Sequence, residues 1–415
     1  MSTPETVAVI GLGYIGLPTA AALATRGAQV AGVDVDPRIV DCVNRGEAPF
    51  VEPELAVAIR GAAAMGSLVA STTVPEADAF VLAVPTPFKE GHADLSYVQA
   101  AAESVAPVLR GGEVVILEST VPPGTTRKVS EWIGDLRPDL AMPHVADVAP
   151  DVHVAHCPER VLPGRIMIEI VTNNRVIGGV TRACASRAAE VYGLFSQGEL
   201  LLTDAESAEM SKLVENAYRD VNIAFANELS LVCDQLGLDV WEIRRMANQH
   251  PRVEVLQPGP GVGGHCIAVD PWFIIDSAPE FARLMRTARE VNDHKPHYLA
   301  DQVIATSRRF REPRIACLGL AFKADVDDLR ESPAVEIVHR VAAALPDVVI
   351  DAVEPHVSAL PSRLAAIDNI RLTATAEAVE QADIVVLLVD HDRFRSIKKT
   401  RLAGKVVYDT RGLWA

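Results

Sequence analysis

The sequence predicts an α/β fold in which two doubly wound parallel-sheet domains are joined by a central helical domain with one long helix. Short apolar runs alternate with helix-like stretches over about the first 200 residues, and the same alternation returns near the C-terminus. Between them, Asp204–Gly237 contains no proline or glycine before its last residue. Strand–helix alternation is typical of parallel sheets. We therefore expect three domains, with bounds 1–200, 201–300 and 301–415.

The first domain begins with a strand, a glycine turn and a helix. "TVAVIGLG" is an apolar run ending in glycine, "LPTAAALATRG" is a helix pattern closed by Gly27, and "AQVAGVDVD" is a second strand with acids at its end. Four later runs predict further parallel strands: "ADAFVLAVP", "EVVILEST", "VHVAHCPE" and "NRVIGG".

The central and last domains follow from a change in pattern. The long helix would run about 50 Å at 1.5 Å per residue, and helices of that length usually bridge domains or form interfaces. The last domain has four apolar runs that again predict parallel strands: "RIACLGLAF", "DVVIDAVEP", "ADIVVLLVD" and "KVVYDTRG". The helical pattern rests on apolar residues at helical spacing: Met210, Leu213, Val214, Ala217, Val221 and Phe225.

Composition excludes several classes of protein. The formal net charge of −16 disfavours nucleic acid as a partner, because phosphate binding needs a basic surface. No apolar run approaches the ~20 residues that cross a bilayer, and the N-terminus lacks a basic region ahead of its apolar stretch. The six cysteines show no C-x-x-C spacing, which argues against a zinc site or a disulfide framework. We expect a cytoplasmic protein with no metal and no membrane association.

The first glycine turn has the features of a Rossmann dinucleotide site. Gly11-x-Gly13-x-x-Gly16, with Tyr14 and Ile15 inside it, lies directly between a strand and a helix. Such glycines permit a tight turn and close approach of a pyrophosphate at the helix N-terminus. Asp34 ends the next strand, where a carboxylate accepts hydrogen bonds from ribose hydroxyls and favours NAD over NADP. The alternative is a turn made only for packing, and Arg38 is placed where it can meet a 2′-phosphate.

Two further segments follow predicted strands. Thr86, within Pro85-Thr86-Pro87, and Thr120, within Ser119-Thr120, stand just after apolar runs. Ligands of open parallel sheets bind at the carboxyl ends of the strands, so both are candidate ligand contacts. Ordinary turn chemistry is the alternative.

Three polar residues share one face of the long helix. Lys212, Asn216 and Arg219 fall at i, i+4 and i+7. The simpler interpretation is a solvated face. The functional one is a row that faces a cleft, in which Lys212 exchanges a proton and the other two orient a substrate.

A single cysteine stands in a glycine-rich run, "PGPGVGGHCIAVDP". Cys266 follows Gly263-Gly264, which permit close approach of a ligand, and Asp270 lies four residues later. An inert buried thiol is the common case. Beside a dinucleotide site, however, a thiol can add to an aldehyde and give a thiohemiacetal whose oxidation yields a thioester. The neighbouring His265 either raises the thiolate fraction or is structural.

Across essentially its whole length the chain resembles the UDP-glucose/GDP-mannose dehydrogenase family. The resemblance rests on long stretches in the right order: "GLGYIGLP", "VPTP", "CPERVLPG", "EMSKLVENAYRDVNIAFANEL", "PGPGVGGHCIAVDPW" and "GLAFKADVDDLRESPA". The stretches "CPERVLPG" and "GGHCIAVDPWF" are most similar to the UDP-N-acetyl-D-mannosamine dehydrogenase branch. UDP-glucose enzymes typically have a serine before the cysteine and a lysine before the aspartate, where this chain has His265 and Val269.

The resemblance implies roles for individual residues. Cys266 matches the nucleophile, Lys212 the proton-transferring lysine and Asn216 the amide that holds the sugar oxygen. Asp270 and Glu159 match the acids that assist water, and Thr120 matches a residue near the nicotinamide. The residues on substrate-binding stretches are Arg160, Val161, Arg219, His250, Arg252 and Gly263, with Lys323 and Arg330 matching positions that hold the UDP portion.

The family also implies partners and a reaction. Its members pack as homodimers through their central helices, and an arginine equivalent to Arg252 can reach the neighbouring subunit's site. The implied reaction is an NAD-dependent four-electron oxidation of the C6 alcohol of UDP-N-acetyl-D-mannosamine to the uronate. The same chemistry on UDP-GlcNAc, UDP-GalNAc or UDP-glucose is the nearest alternative. A two-electron dehydrogenase of the 6-phosphogluconate type and a non-catalytic sensor are the other two.

Overall fold

A computed structural model describes residues 4–50, 52–89, 91–145, 149–162, 164–264 and 266–414. The chain divides into two compact units. The first consists of Met1–Glu215 with Trp272–Ser277, and the second of Asn216–Pro271 with Ala278–Ala415.

The first unit is built on an eight-stranded sheet with the order β10-β9-β8-β7-β4-β1-β2-β3. A two-stranded hairpin, β5–β6, lies outside it. The strands are β1 (Thr6–Ile10), β2 (Gln29–Val33), β3 (Leu68–Ser71), β4 (Ala79–Leu82), β5 (Phe88–Lys89), β6 (His92–Ala93), β7 (Val114–Leu117), β8 (His153–His156), β9 (Arg175–Gly179) and β10 (Leu200–Asp204). The helices are α1 (Gly16–Thr25), α2 (Pro37–Asn44), α3 (Leu55–Met65), α4 (Ser96–Val105), α5 (Thr125–Leu136), α6 (Ile166–Thr172) and α7 (Arg182–Tyr192), with a 3-10 turn at Ala106–Val108.

The centre of this sheet explains its sequence pattern. Every residue of β4 and β7 is buried, as expected for parallel strands covered by helices on both faces. The strand order reverses between β1 and β4, so the carboxyl ends of these two strands flank a crevice. The predicted doubly wound α/β domain is confirmed.

One strand direction was predicted wrongly. The run "NRVIGG" forms β9, which pairs antiparallel with β8 and parallel with β10. A parallel connection must carry the chain back along the sheet, usually through a long helix. Among the described residues of the connection 157–174, the helix is the seven-residue α6, which packs on α1. The chain therefore enters β9 from the end at which it left β8.

The central helices begin with the predicted long helix. It is confirmed as α8 (Ala205–Leu236), 32 residues in length. Asp204 caps its start by accepting a hydrogen bond from the Ser207 backbone N–H at 2.8 Å. Gly237, with φ +68°, ends it, and the Leu238 N–H returns to the Cys233 carbonyl at 2.9 Å. The other helices here are α9 (Val240–Ala247), α10 (Asp270–Ser277) and α11 (Arg283–Ser307).

The second unit holds a five-stranded, wholly parallel sheet with the order β13-β12-β11-β14-β15. Its order also reverses, between β11 and β14, so this unit has the second predicted Rossmann-like sheet. The strands are β11 (Arg314–Leu318), β12 (Val349–Val353), β13 (Ile370–Leu372), β14 (Ile384–Leu387) and β15 (Val406–Asp409). The helices are α12 (Pro333–Ala344), α13 (Ser362–Ala365), α14 (Thr375–Gln381) and α15 (Lys399–Leu402), with a 3-10 turn at Asp392–Ser396.

Among the described residues, no helix combines the length and the apolar character needed to cross a bilayer.

Candidate active site

The glycine turn between β1 and α1 has the shape of a phosphate cradle. Gly11 has φ +94°, and a Cβ there would lie 2.5 Å from the Ala83 carbonyl oxygen. A Cβ at Gly16 would lie 1.9 Å from the Gly11 carbonyl oxygen. At Gly13, in contrast, a Cβ would meet nothing within 4 Å, so the turn is open on that side. Two glycines are therefore required by packing, and the third leaves room for a pyrophosphate at the start of α1.

Asp34 and Arg38 lie beside this turn but have different partners. The Asp34 carboxylate accepts hydrogen bonds from the backbone N–H groups of Leu12 and Asp36, both at 2.9 Å. Arg38 is 90% exposed and forms an ion pair with Asp36 at 2.7 Å, so its charge already has a carboxylate partner. Tyr14 in the turn stacks on Phe50 with ring centroids 4.2 Å apart.

The two segments predicted after strands are joined to each other. The Thr86 hydroxyl donates to the Thr120 carbonyl at 2.7 Å, and the Ser119 hydroxyl donates to the Val84 carbonyl at 2.7 Å. Because β4 and β7 are neighbours, both segments lie at the carboxyl edge of the sheet. This is the edge at which open α/β sheets bind ligands.

A buried cluster of charged side chains includes Glu159 of the "CPER" segment, Arg175 and Glu118. Glu159 accepts a hydrogen bond from the Arg160 N–H at 2.6 Å and one from Arg175 Nη2 at 3.1 Å. Arg175 Nη1 also lies 3.9 Å from Glu118 Oε1. Burial, together with the nearby Glu159 carboxylate, raises the pKa of Glu118 to about 8. Sequence reasoning missed Arg175 and Glu118; the available signal was an arginine opening the otherwise apolar run "RVIGG".

Lys212 lies half-buried on α8, one turn after a buried glutamate. That residue, Glu209, accepts hydrogen bonds from the backbone N–H groups of Gly124 and Thr126, both at 2.6 Å. These donors stand at the start of α5, just after the Thr120 segment. The turn of α8 that carries Lys212 is thereby tied to the segment that follows Thr120.

The glycine-rich run 258–271, the thiol loop that carries Cys266, belongs to the second unit. Cys266 is exposed, whereas Cys157, Cys184, Cys233 and Cys317 are buried and Cys42 is intermediate. The Cys266 carbonyl accepts hydrogen bonds from the N–H groups of Val269 and Asp270, at 3.0 and 2.8 Å. Cys266 is therefore not the buried thiol of the alternative interpretation. His265 lies outside the described residues.

Two predicted residues meet beside this loop. Asn216 Nδ2 donates to Asp270 Oδ2 at 2.6 Å, and Asp270 is 4% exposed. The structure thus brings Asn216 and Asp270 together at the end of the turn that Cys266 begins. Lys212, Glu159 and Thr120 belong to the first unit.

The glycines of the loop pack on the segment predicted to hold UDP. A Cβ at Gly263 would lie 2.5 Å from the Glu331 carbonyl oxygen, and one at Gly264 would lie 3.1 Å from the Phe322 ring. Lys323 and Arg330 are both exposed on this segment, and Arg330 forms an ion pair with Asp328 at 2.6 Å.

The remaining predicted substrate contacts are spread over both units. Arg160 forms an ion pair with Glu215, and Val161 packs partly buried against the core. Arg219, His250 and Arg252 are exposed, and the Arg252 N–H donates to His250 Nδ1 at 3.3 Å.

One group of side chains in the second unit has metal-ligand character. Ligand atoms of Asp325, His356 and His391 lie within 4.8 Å of one another. Both nitrogens of His391 have protein partners, however. Nδ1 accepts from the Asp325 N–H at 2.9 Å, and Nε2 lies 3.0 Å from Glu354 Oε2. These contacts show that the His391 nitrogens are already engaged with protein groups of the same unit. The expectation of no metal stays a prediction.

Comparison with known proteins identifies the family. Residues 5–196 match the UDP-glucose/GDP-mannose dehydrogenase family, NAD binding domain; 206–294 match its central domain; and 316–415 match its UDP binding domain. The chain belongs to the UDP-glucose/GDP-mannose dehydrogenase family. It is an oxidoreductase, and its cofactor is NAD, which agrees with the open side of the turn at Gly13 and with Asp34 beside it.

Individual relatives of this family span the whole chain. An NDP-N-acetyl-D-galactosaminuronic acid dehydrogenase of Ralstonia nicotianae is 56% identical over 412 residues, 99% of this chain and 96% of that protein. A UDP-N-acetyl-D-mannosamine dehydrogenase of Escherichia coli K12 is 53% identical over 418 residues, 99% of each. The solved structure of a UDP-D-ManNAc dehydrogenase from Pyrococcus horikoshii is similar with a TM-score of 0.86 at 36% identity, covering 99% of this chain and 96% of that one.

Proposed function

We propose that this dehydrogenase oxidises UDP-N-acetyl-D-mannosamine to UDP-N-acetyl-D-mannosaminuronic acid, with consumption of two NAD⁺ and one water and release of two NADH and two protons. The observation that carries the proposal is the exposed thiol of Cys266 on a turn that ends at the Asn216–Asp270 hydrogen bond. A two-electron alcohol dehydrogenase has no need of such a thiol. The similar UDP-N-acetyl-D-mannosamine dehydrogenase supports the choice of sugar.

In the first oxidation, Lys212 assists loss of the C6 hydroxyl proton, with a water held by Asn216 and Asp270. When bound, NAD⁺ accepts a hydride from C6 in each of the two oxidations. Thr120 would lie near the nicotinamide when the cofactor is bound. General acid–base assistance of this kind contributes about 10²–10⁴-fold to a rate.

Cys266 carries the reaction past the aldehyde. Its thiolate adds to the aldehyde carbon and forms a thiohemiacetal, and loss of the second hydride converts this to a thioester. Water, activated by Asp270 or Glu159, then attacks the thioester carbon. The C–S bond breaks, the uronic acid leaves, and the thiol is regenerated.

Local positive charge binds the diphosphate. The chain carries a net charge of −16, so a few cations must converge where UDP lies. We assign this role to Lys212, Arg252, Lys323 and Arg330. The other substrate contacts are Arg160, Val161, Asn216, Arg219, His250 and Gly263.

We also propose a homodimer that packs through α8. The helix exposes an apolar stripe at helical spacing, whose members are 45–69% exposed: Val214, Tyr218, Phe225, Val232 and Leu236. Covering such a stripe removes apolar surface from water. Arg252 would then reach the partner's site. The domain bounds 1–200, 201–300 and 301–415 and a cytoplasmic location, in line with six free cysteines, complete the proposal.

A second candidate changes only the sugar. The relative from Ralstonia nicotianae, named for N-acetyl-D-galactosaminuronic acid, favours the N-acetylgalactosamine nucleotide. UDP-GlcNAc and UDP-glucose remain further alternatives.

The deciding experiment measures NADH released per sugar with UDP-ManNAc, UDP-GalNAc, UDP-GlcNAc and UDP-glucose. We expect two NADH per UDP-ManNAc and the highest kcat/KM for that sugar. Highest kcat/KM for UDP-GalNAc would transfer the assignment to the second candidate. A yield of one NADH per sugar would overturn the four-electron reaction.

A further inference from the structure

The antiparallel strand β9 brings an arginine to the edge of the sheet that carries the proposed chemistry. In the β8–β9 register Ala155 pairs with Gly179 and His156 with Gly178. Because β9 runs against β8, its first residue, Arg175, stands beside the segment that follows β8. A parallel β9 would place this arginine at the opposite edge of the sheet.

Arg175 is held by contacts in several directions. Its Nη2 donates to Glu159 Oε2 at 3.1 Å and to the Ile170 carbonyl at 2.9 Å. The guanidinium carbon lies 4.8 Å from the Tyr192 ring centroid and 5.2 Å from that of Phe195. The residue is 3% exposed. These contacts fix the plane of the guanidinium, and with it the Glu159 carboxylate.

The buried cluster contains one cation between two carboxyl groups. Glu118 accepts hydrogen bonds from the Thr19 hydroxyl at 3.0 Å and the Tyr192 hydroxyl at 3.2 Å. Burial raises the pKa of Glu118 to about 8, which favours its protonated, uncharged form.

The two other titratable groups around Arg175 are uncharged. Burial raises the pKa of Cys157 to about 12, and it raises the pKa of Tyr192 well above its usual value. Because burial favours the uncharged form of Glu118, the charge of Arg175 is left for Glu159. A buried carboxylate without such a partner would incur a desolvation cost of several kcal/mol.

We propose that Arg175 is a positioning residue for thioester hydrolysis: it fixes and charge-balances Glu159, which takes the proton from the attacking water. The proposal rests on the cysteine chemistry proposed above, in which Glu159 is one of the two acids that assist the water; the new assignment is the role of Arg175. In this step the water oxygen bonds to the thioester carbon, a water proton passes to Glu159, the C–S bond breaks, and the Cys266 thiolate leaves. No electrons are exchanged.

The test is the Arg175→Lys variant, which keeps the positive charge but loses the planar guanidinium and its fixed set of N–H donors. We expect the NADH burst of the first turnover to keep its amplitude and its rate within about twofold. Steady-state turnover should fall about 10- to 100-fold, part of the roughly 10²–10⁴ that a positioned base supplies. Rapid acid quench and intact-mass analysis should then reveal an acyl adduct on Cys266 that hydroxylamine removes.

Arg187→Lys is the matched control. Arg187 is a buried arginine of the same unit that forms an ion pair with Glu190 on α7. It should show no adduct and near-normal turnover. If Arg175→Lys behaves like Arg187→Lys, or slows burst and steady state equally without an adduct, the positioning role is overturned.

Glu159→Gln keeps the question answerable if Arg175→Lys does not fold. This variant should accumulate the same adduct while Arg175 stays in place, and its absence would overturn the proposal. Failure of the proposed function has a different signature. It would appear in the wild-type protein as one NADH per sugar, or as an adduct that persists in Cys266→Ala, which has no nucleophilic atom at this position.

Discussion

Asn216 and Asp270 form a hydrogen bond of 2.6 Å between the long helix and the start of α10. The bond joins two residues 54 positions apart in the sequence. It holds the Asp270 carboxyl at the end of the turn that Cys266 begins, because the Asp270 N–H donates to the Cys266 carbonyl. Asn216 of α8 and the turn from Cys266 to Asp270 therefore form one arrangement within the second unit.

Replacement of Asp270 tests this arrangement. Asp270→Asn removes the charge at a buried position, and we expect kcat to fall about 10²-fold, within the range for a group that assists proton transfer. Stopped-flow NADH absorbance measures the effect. Asp276→Asn, on the same helix and paired with His92 at 2.7 Å, is the control. Wild-type kcat in Asp270→Asn would contradict the assignment.

Cys266→Ser tests the nucleophile. The hydroxyl is a much poorer nucleophile than a thiolate at neutral pH, so uronate formation should fall by at least about 10³-fold, while binding of the UDP-sugar stays within about threefold. NADH yield and calorimetric titration with the UDP-sugar separate the two effects. Undiminished turnover to the uronate in this variant would remove Cys266 from the mechanism.

Asp34 should set the preference for NAD. Asp34→Asn weakens hydrogen bonds to a charged acceptor, which are worth about 1.5–3 kcal/mol, so KM for NAD⁺ should rise roughly 10- to 100-fold. Initial rates with NAD⁺ and NADP⁺ measure the change. Arg38→Ala is the matched variant, and because Arg38 already pairs with Asp36 its KM for NAD⁺ should stay near that of the wild type. Equal effects of the two substitutions would argue against this division of roles.

Lys295 gives the second unit a stability that depends on pH. It is 7% exposed, its amine donates to the Ser230 hydroxyl, and burial lowers its pKa from 10.5 to about 8. Between pH 8 and 10.5 the unfolded chain binds more protons than the folded one, so this contribution to stability rises with pH and is smallest below pH 8. Lys295→Met should therefore raise the free energy of unfolding by about 1–3 kcal/mol at pH 7, with the gain shrinking by pH 10.

Urea unfolding at pH 7 and pH 10 measures this difference. Lys405→Met is the comparison, because Lys405 is partly exposed and its amine bonds to the Glu380 and Ala382 carbonyls. Its effect should change little between the two pH values. A Lys295→Met protein that is less stable than wild type at both pH values would refute the prediction.

The apolar stripe of α8 should govern self-association. Phe225 is 59% exposed on the stripe, and Phe225→Glu places a charge where we expect a partner helix, so the protein should elute as a monomer at micromolar concentration. Light scattering coupled to size exclusion gives the mass. Phe281→Glu, at a position 87% exposed and off the stripe, should leave a dimer intact. A wild-type protein that is itself monomeric would end the dimer proposal.

Much of the fold followed from the spacing of apolar residues and from the positions of glycine and proline in the sequence. The long helix lacks internal glycine and proline, and its observed end at Leu236 is set by the glycine that follows. The glycine turn could be predicted because the apolar strand, the Gly11-x-Gly13-x-x-Gly16 spacing and Asp34 occur together in a short stretch of sequence. The polar stripe followed from helical spacing alone. Local pattern is sufficient where local geometry places the residues.

The direction of β9 and the exposure of Cys266 could not be predicted from local sequence pattern. "NRVIGG" is an apolar run whether it pairs parallel or antiparallel, and its direction depends on the path of the chain between β8 and β9, where α6 packs on α1. That reversal places Arg175 between Glu118 and Glu159, residues 57 and 16 positions away. The sequence by itself determined the sheets, the long helix and the candidate residues, because these depend on local spacing. Tertiary structure alone decided which charges share one buried site, because that depends on how distant strands pair.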